Sequence, residues 1–448
     1  MDTIRMPQAR YKQLVDRLAD DIRQGRLRPG TVLPPHRKLA AVEGISLATA
    51  TRAYAELQAM GLVAGEVGRG TFVREPISMD GEVAMHAASD DLVDLTFNYP
   101  ALPTQTEMLR TALKQLASAG ELESVLRYQP HGGRPHERAI VAEHLKSRGL
   151  PVSADAVLIV SGAIHGLATA AMSLLQPGDV VAVDALSYPG IKVVAEQCRL
   201  ELVAIPLSGA GPDLDALQAL CRTRKVRAMY CMPTLHNPLG WVMTVNQRLA
   251  LIEVARRHGL LLLEDGTYAF LEKLAPPPLA AMAPDITVYV SSLSKSVAAG
   301  LRFGFLCAPV AFVPRISRAI RATVWNTPTL VTSLCCNWLQ DGTVARLEQD
   351  KRRDAGARQA IAAKALAGFR TIRHPASYFV WLSMPDEVRA DAVAMRLERE
   401  GILVSTAAPY AMGGQPTHAL RLALGSISHA RLKLALEAVA RAVASLSY

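Results

Sequence analysis

The sequence predicts an α/β fold with a mostly parallel sheet, preceded by a small helical domain. Short aliphatic runs alternate with helical segments from residue 157 onwards: VLIV precedes GLATAAMSLL, DVVAVDA precedes YPGIKVVAEQC, and VRAMYCM precedes TVNQRLALIEVARRHG. LLLLED and ITVYVSSLS follow. This alternation is typical of βαβ units, in which helices cover both faces of parallel strands. With 448 residues, 50% of them hydrophobic, the chain can form one large core and one attached domain.

Composition and charge narrow the class of protein. No apolar run approaches the roughly 20 residues that cross a bilayer, and the first segment, MDTIRMPQARYKQL, is too polar for a signal peptide. We therefore expect a soluble, cytoplasmic protein without a membrane partner. The six cysteines form no CxxC pair and the histidines show no metal-ligand spacing, so we expect reduced thiols and no metal. The net charge of +9, of which +4 lies in residues 1–75, permits a polyanionic partner without identifying DNA.

Residues 1–75 have the order of a helix-turn-helix followed by a wing. Apolar residues four apart predict a first helix within residues 8–24, Arg28-Pro29-Gly30 ends it, and LPPHRKLAAVEG predicts a second helix. ISLATATRAYAELQAMG predicts a third helix with Ser46 as its N-cap. LVAGEVGRGTFV contains two β-type runs around glycines, which favours a hairpin. The residues predicted to be buried on the three helices are Leu14, Leu18, Ile22, Leu39, Val42, Ala50, Ala53, Tyr54 and Leu57.

A module with this order places its third helix in the major groove of DNA, while the preceding helix and the wing contact phosphates. The simpler alternative is a small helical domain whose arginine and threonine side chains only face water. The candidate DNA contacts on the third helix are Ser46, Ala48, Thr49, Thr51 and Arg52.

The ordered segments resemble the winged helix-turn-helix of the GntR superfamily. Its markers LPP-x-R-x-L and G-x-G-T-F-V stand here at residues 33–39 and 68–73. The resemblance implies that Arg37 and the wing around Arg69 contact phosphates. Leu47 stands where that family often has an arginine after the serine, so we expect fewer bidentate base contacts.

Residues 76–91 are predicted to form a linker. They lack a sustained apolar period and mix Gly, Ser and acidic residues. The predicted domains are therefore a DNA-binding domain at 1–75 and a large domain at 92–448. Because the linker is short, we expect the two domains to be tethered closely.

Polar residues follow the predicted strands of the large domain, where ligands bind in parallel sheets. Ser161-Gly162-Ala163 follows VLIV and begins a helix, so its backbone N–H groups can hold an anion at the positive end of the helix dipole. Each such residue alone has a plainer role, as a solvated lysine, a helix cap or a turn. The other residues that follow strands are Tyr188, Asn237, Asp265 and Lys295.

This set resembles the fold-type I enzymes that use pyridoxal 5'-phosphate, specifically the aminotransferase I/II group, over residues 92–445. The resemblance implies that the lysine of S-x-S-K, Lys295, forms an imine with the cofactor aldehyde. It also implies that Arg302, seven positions later, pairs with the cofactor phosphate. The hydroxyls of Ser292 and Ser294 and the amides of Gly162 and Ala163 would assist it.

Further roles are implied by the same resemblance. Asp265 would face the pyridine nitrogen, Asn237 and Tyr268 would hydrogen-bond the phenolic oxygen, and Tyr188 would stack on the ring. Arg421, in HALRLALG, would receive the α-carboxylate of an amino acid effector or substrate, beside Asn237. Tyr128, in RYQPHGG, would reach the cofactor phosphate of a second subunit. Ile164 stands where the family frequently has Gln, so one phosphate contact is in doubt.

The two halves together resemble the MocR subfamily of GntR transcriptional regulators. The resemblance implies a regulator that binds pyridoxal 5'-phosphate and operator DNA, forms a domain-swapped, head-to-tail homodimer and senses an amino compound. An enzyme that catalyses transamination, with an accessory DNA-binding domain, remains the main alternative, and a regulator that has lost its cofactor is a third.

Overall fold

A computed structural model describes residues 10–23, 26–28, 30–60, 62–66, 70–73, 92–99, 104–118, 122–413 and 417–447. The predicted linker 76–91 and Arg69 lie outside the described residues, and the predicted domain limits stay a prediction. Within the described ranges the α-helices are α1 Arg10–Arg23, α2 His36–Glu43, α3 Leu47–Ala59, α4 Gln105–Ser118, α5 Leu122–Val125, α6 Pro135–Ser147, α7 Ala163–Leu174, α8 Gly190–Gln197, α9 Leu214–Thr223, α10 Val245–His258, α11 Leu279–Met282, α12 Val313–Thr323, α13 Thr329–Gln340, α14 Thr343–Ala365, α15 Ala390–Arg399 and α16 His429–Ser445. The strands are β1 Val63–Glu66, β2 Gly70–Val73, β3 Val93–Leu95, β4 Val157–Val160, β5 Val180–Asp184, β6 Glu201–Ile205, β7 Val226–Cys231, β8 Leu261–Asp265, β9 Thr287–Ser292, β10 Gly304–Cys307, β11 Thr371–Arg373, β12 Phe379–Ser383, β13 Ile402–Thr406 and β14 Ala419–Ala423.

The N-terminal module is a three-helix unit with a hairpin, as predicted. Gly44, at φ 61°, ends α2, and the Ser46 side chain accepts a hydrogen bond from the Thr49 backbone N–H at the start of α3. Strands β1 and β2 pair antiparallel to form the wing. The predicted buried residues lie in one core, except that Leu18 is only partly buried. The prediction for Val42 was wrong: it is exposed, and the neighbouring Ala40 is buried instead.

The large domain contains a seven-stranded sheet in the order β4-β10-β9-β8-β7-β5-β6. All neighbouring strands from β9 to β6 are parallel, and only β10 runs antiparallel to both of its neighbours. The predicted mostly parallel α/β sheet is therefore confirmed. Because β4 and β9 both oppose β10, β4 runs in the same direction as the parallel strands. The carboxyl ends of β4 and of the parallel strands all lie at one edge of the sheet, where the candidate site is found.

A second lobe at the C-terminal end was not foreseen from the sequence. It is a five-stranded sheet in the order β11-β12-β14-β13-β3, with its own apolar core against α15 and α16. Strand β3 comes from the beginning of the large domain and pairs parallel with β13. This long-range pairing brings residues 96–99 to the edge of the site.

The N-terminal module packs on this C-terminal lobe within the single chain. Lys12 on α1 donates hydrogen bonds to the backbone oxygens of Asp386 and Val388, at 3.1 and 3.3 Å. Arg389, which precedes α15, pairs with Asp16 at 2.9 Å. The expected head-to-tail swap concerns a dimer and stays a prediction.

Three further observations concern chemistry and membranes. The six cysteines are free thiols, four of them buried. Across the described ranges, His, Cys, Asp and Glu side chains form no group of three or more that could hold a metal ion. Among the helices in those ranges, none is both long and apolar enough to cross a membrane.

Candidate functional site

Arg302 lies against the N-terminus of α7. Gly162 precedes that helix with φ 91°, and a Cβ atom added there would lie 2.6 Å from Nη2 of Arg302. Arg302 itself has φ 51°, in the left-handed region, at the end of the 3-10 turn Ala299–Leu301. A guanidinium and the positive end of a helix repel each other unless an anion lies between them. Arg302 is exposed in this chain.

Asp265 is a buried carboxylate at the end of β8, held by two neighbours. Tyr230, on β7, donates a hydrogen bond to Oδ2 at 3.0 Å, and the Thr267 backbone N–H donates to Oδ1 at 2.9 Å. Asp265 is 2% exposed, and burial raises its pKa although these hydrogen bonds lower it in part. A cationic group placed next to Asp265 would stabilise the charged form of its carboxyl group and offset the cost of burying it.

Lys295 follows β9 and is half-buried at the opening between the two lobes. Its Nζ donates a hydrogen bond to the backbone oxygen of Asn98 at 2.8 Å and lies 5.6 Å from the centre of the Tyr99 ring. Ser292 accepts a hydrogen bond from the Ser294 backbone N–H at 3.4 Å. The Ser294 hydroxyl is buried without a hydrogen-bond partner among the described residues. The lysine amine is thus held against the backbone at Asn98.

Asn237, Tyr268 and Tyr188 follow the neighbouring strands on the same edge. Asn237 is 4% exposed, and its Oδ1 has no hydrogen-bond partner in the part of the chain that the structure describes. The Tyr268 ring meets Phe379 edge-on at 5.3 Å. Burial raises the pKa of Tyr188, and the nearby Asp265 and Tyr268 raise it further. Tyr188, Asp265 and Tyr268 therefore lie in one region of the site.

Ile164 packs beside the Tyr188 ring. A Cβ atom added to Gly190 would lie 2.4 Å from the Tyr188 ring and 2.5 Å from the end of the Ile164 side chain. The residue that replaces the family's Gln therefore provides an apolar contact to the aromatic side chain. A glutamine at this position could hydrogen-bond the phosphate, whereas Ile164 packs against the Tyr188 ring.

Arg421 is a buried cation in the C-terminal lobe. It lies on β14 at 3% exposure, and its Nη1 donates a hydrogen bond to the Thr96 backbone oxygen at 3.0 Å. Its guanidinium lies 5.1 and 5.8 Å from the rings of Phe379 and Tyr410. Its Nε has no hydrogen-bond partner among the described residues. The guanidinium therefore retains capacity for an anionic ligand.

Tyr128 is not brought into the site of its own chain. It is 84% exposed, and its ring lies 5.1 Å from that of Trp325. Its expected reach into a second subunit stays a prediction, because the structure contains one chain.

The candidate DNA interface is the outer face of α2 and α3. Arg37, Ala48 and Thr51 are exposed, and Thr51 lies 3.0 Å from a His36 ring nitrogen. The Arg52 guanidinium donates to the Tyr11 hydroxyl at 3.2 Å and lies 4.2 Å from the Tyr11 ring centre. Arg52 therefore faces α1 as well as solvent. Ser46 and Thr49 have their hydroxyls 2.7 Å apart at the helix start.

Sequence reasoning missed four residues that contact this site. Tyr230 could have been found, since a tyrosine in a buried parallel strand beside the strand of Asp265 needs a hydroxyl partner. Thr267 could have been found in EDGTY, because an Asp often bonds the backbone two residues on. Asn98 and Lys351 reach the site only through long-range packing, and no local pattern marks them.

Comparisons with known proteins agree with the two-part organisation. Residues 90–439 match the family model "Aminotransferase class I and II", and residues 10–73 match "Bacterial regulatory proteins, gntR family". The chain is 26% identical to the HTH-type transcriptional regulator YdeF of Bacillus subtilis, over 92% of this chain and 90% of that protein. It is 29% identical to the HTH-type transcriptional regulator TauR of Rhodobacter capsulatus, over 97% and 96%.

A solved structure gives the same result for the fold. The crystal structure of LysN, an alpha-aminoadipate aminotransferase of Thermus thermophilus complexed with N-(5'-phosphopyridoxyl)-L-leucine, has a TM-score of 0.72 and 25% identity, covering 80% of this chain and 93% of that one. The likeness extends over the large domain, which carries the candidate site. The chain belongs to the aminotransferase class I and II family and carries a GntR-type helix-turn-helix before it, the combination found in the MocR subfamily of GntR regulators.

Proposed function

We propose that the protein is a pyridoxal 5'-phosphate-dependent DNA-binding transcriptional regulator of the cytoplasm. The observation that carries the proposal is the placement of Arg302 against the α7 N-terminus, on the same sheet edge as Lys295 and Asp265. This arrangement suits a phosphorylated, aldehyde-bearing ring. The same chain carries a winged helix-turn-helix with an exposed third helix.

The residues present fit this cofactor. Two polar atoms on the site edge, Asn237 Oδ1 and Ser294 Oγ, are buried without a hydrogen-bond partner in the described chain. Such atoms are costly unless a ligand or water satisfies them. The residues that would hold the phosphate are Gly162, Ala163, Ser292, Ser294 and Arg302, and those that would hold the ring are Tyr188, Asn237, Asp265 and Tyr268.

Pyridoxal phosphate, when bound, supplies an aldehyde that captures primary amines. Lys295 is placed to be the amine that the protein itself offers. Asp265 would hold a proton on the pyridine nitrogen, since Tyr230 and Thr267 keep its carboxylate oriented. Arg421, with its unpartnered Nε, would bind the carboxylate of an amino acid effector.

The regulator would act as a homodimer. Leu126 and Tyr128 are 88% and 84% exposed, and the Tyr128 ring lies 5.1 Å from that of Trp325. Exposed apolar side chains of this kind suit contact with a second copy, through which Tyr128 would approach the partner's phosphate site. That approach would also cover the exposed Arg302. In the head-to-tail arrangement expected from the family, each winged helix would sit on the partner's large domain. An effector switches such a dimer only if it binds one arrangement more tightly than another.

A transamination activity is the second candidate function. The observation that favours it is that Lys295, Asp265 and Arg421 are all in place, so the residues that act on an amino acid are not missing. In that case the N-terminal module would be an accessory. Steady formation of keto acid from an amino acid panel at ordinary enzyme rates would support it.

The regulator is tested by selecting DNA from a random library with the purified full-length protein. We expect enrichment of paired half-sites and a measurable change in affinity when pyridoxal 5'-phosphate is added. Binding that is no tighter than to unrelated DNA, with and without cofactor, would contradict the proposal. Absorbance of the bound cofactor in the visible range, lost in Lys295→Ala, reports the covalent link independently of DNA.

A further inference from the structure

Lys351 is a buried lysine on α14 that lies directly behind the Lys295 loop. Its side chain is 0% exposed. Its Nζ donates hydrogen bonds to the backbone oxygens of Lys295 at 3.2 Å and Val297 at 3.0 Å. Both acceptors belong to the segment that carries the reactive amine. Nothing in the family resemblance or the comparisons assigns this lysine a role.

Burial makes this lysine costly as a packing residue. Desolvation lowers its pKa to about 7, and the charge of Lys295 lowers it as well, whereas Asp354 and Glu348 on the same helix raise it. A methionine fills similar space without that cost. The contribution of the amine therefore lies in the hydrogen bonds that it donates, and both go to the Lys295 loop. Both protonation states retain two N–H groups, so both bonds can persist.

Helix α14 is well placed to hold the loop, because it is itself fixed to other parts of the site. Arg352 donates to the Phe270 backbone oxygen at 2.6 Å, next to Tyr268. Tyr378, on the second lobe, donates to the Lys351 backbone oxygen at 3.0 Å. The Val297 oxygen also accepts a hydrogen bond from Gln105 on α4, at 2.5 Å. The loop is thus held from two sides, and Lys351 bonds the backbone oxygen of Lys295 itself.

We propose that Lys351 is a positioning residue for Lys295, holding its loop so that the amine meets the aldehyde of the bound cofactor. This inference rests on the proposed function. The covalent link forms when the neutral Lys295 amine adds to the aldehyde carbon, a C=N bond replaces the C=O bond, and one water leaves. Lys351 does not touch the reacting atoms.

The test compares full-length wild type, Lys351→Met, Lys351→Gln and the control Lys364→Met, an exposed lysine on the same helix. Each is titrated with pyridoxal 5'-phosphate and with pyridoxine 5'-phosphate, which has the same ring and phosphate but no aldehyde. Loss of two hydrogen bonds predicts about tenfold weaker binding of pyridoxal phosphate to Lys351→Met. Pyridoxine phosphate should bind unchanged, Lys351→Gln should recover part of the loss, and the control should match wild type.

Two outcomes would overturn the inference: equal losses for both ligands, which indicate a general structural role, or no loss for either. If the wild type shows no absorbance of bound pyridoxal 5'-phosphate, the proposed function itself is wrong. Should Lys351→Met fail to fold, Lys351→Gln decides by the same two titrations. It should bind pyridoxal 5'-phosphate more weakly than wild type and pyridoxine 5'-phosphate equally well, and wild-type affinity for pyridoxal 5'-phosphate would overturn the inference.

Discussion

Arg389 and Asp16 form an ion pair, with Nη1 2.9 Å from Oδ1, that joins the C-terminal lobe to α1 of the DNA-binding module. Arg389 is only 5% exposed and also pairs with Asp391 and with Glu56, both at 3.1 Å. Glu56 lies on α3, the helix expected to contact DNA. One buried guanidinium therefore links the C-terminal lobe to both the first and the third helix of the module.

Replacing Arg389 by Gln should loosen this contact. It leaves Asp16, Glu56 and Asp391 close together without the guanidinium that they share. Removing one partner of a buried pair typically costs about 3 kcal/mol. We expect faster amide hydrogen exchange in α1, measured by mass spectrometry on the full chain. Arg399→Gln, an exposed arginine on α15, is the control. Unaltered exchange in α1 would show that the ion pair does not hold the modules together.

Glu264→Gln should remove a pH dependence of stability. Burial raises the pKa of Glu264 to about 7, against hydrogen bonds from the backbone N–H groups of Leu279 and Ala280 and the charge of Arg248. Between its ordinary value of 4.5 and about 7, the folded state holds a proton that the unfolded state has lost. Stability contributed by this group therefore falls as pH rises through that window, by as much as about 3 kcal/mol.

The measurement is the thermal midpoint of wild type and Glu264→Gln at several pH values from 4.5 to 8. Their difference should grow in favour of the variant as pH rises to about 7 and then remain constant. Parallel curves for the two proteins would show that the carboxyl group does not titrate in this range.

Gly162→Ala should weaken phosphate binding, and Gly178→Ala should not. Both glycines have positive φ, 91° and 86°, so an alanine is strained at either position by about 1 kcal/mol. Only at Gly162 would the added methyl also meet a neighbour, Arg302 Nη2 at 2.6 Å; nothing lies within 4 Å at Gly178. We expect similar small losses of thermal stability, but at least about tenfold weaker pyridoxal 5'-phosphate binding for Gly162→Ala alone. Equal affinities in the two variants would argue against the phosphate cradle.

The sequence predicted the parts of the site that depend on local patterns. Asp265 and Lys295 directly follow aliphatic strands, and parallel strands bring such residues to one edge. The second lobe could not be predicted in the same way, because β3 pairs with β13 across some 300 residues of chain. Asn98, which accepts a hydrogen bond from Lys295, depends on that pairing. The prediction that Val42 is buried was wrong for a simpler reason. A two-turn helix is too short for apolar periodicity to show which of its residues face the core.

Arg421→Met should separate amino acids from simple amines as effectors. The Arg421 guanidinium is buried at 3% exposure, and it would bind a carboxylate by charge-assisted hydrogen bonds. Loss of such a pair corresponds to about ten- to hundredfold weaker binding. The affinity for amines without a carboxylate should be the same as in wild type. Both affinities are measured by following the spectral changes of the cofactor-loaded protein as the ligand is added. Equal loss for both ligand classes would assign Arg421 to the structure of the lobe instead.

Arg37→Gln and Thr51→Val should have different effects on DNA binding. Arg37 is exposed on α2, where a guanidinium contacts phosphate whatever the sequence, so its loss should weaken all sites and reduce the slope of log affinity against log salt by about one. Thr51 is exposed on α3, at the surface expected to meet base edges, and its replacement should change the ranking of selected sites.

The measurement is fluorescence anisotropy with selected and unrelated DNA at several salt concentrations. Arg17→Gln is the control, because Arg17 lies on α1 and is already paired with Glu43. If Arg37→Gln alters preference among sites but not the salt slope, the assignment of α2 to phosphates is wrong. If neither substitution has an effect, DNA meets another surface of the module.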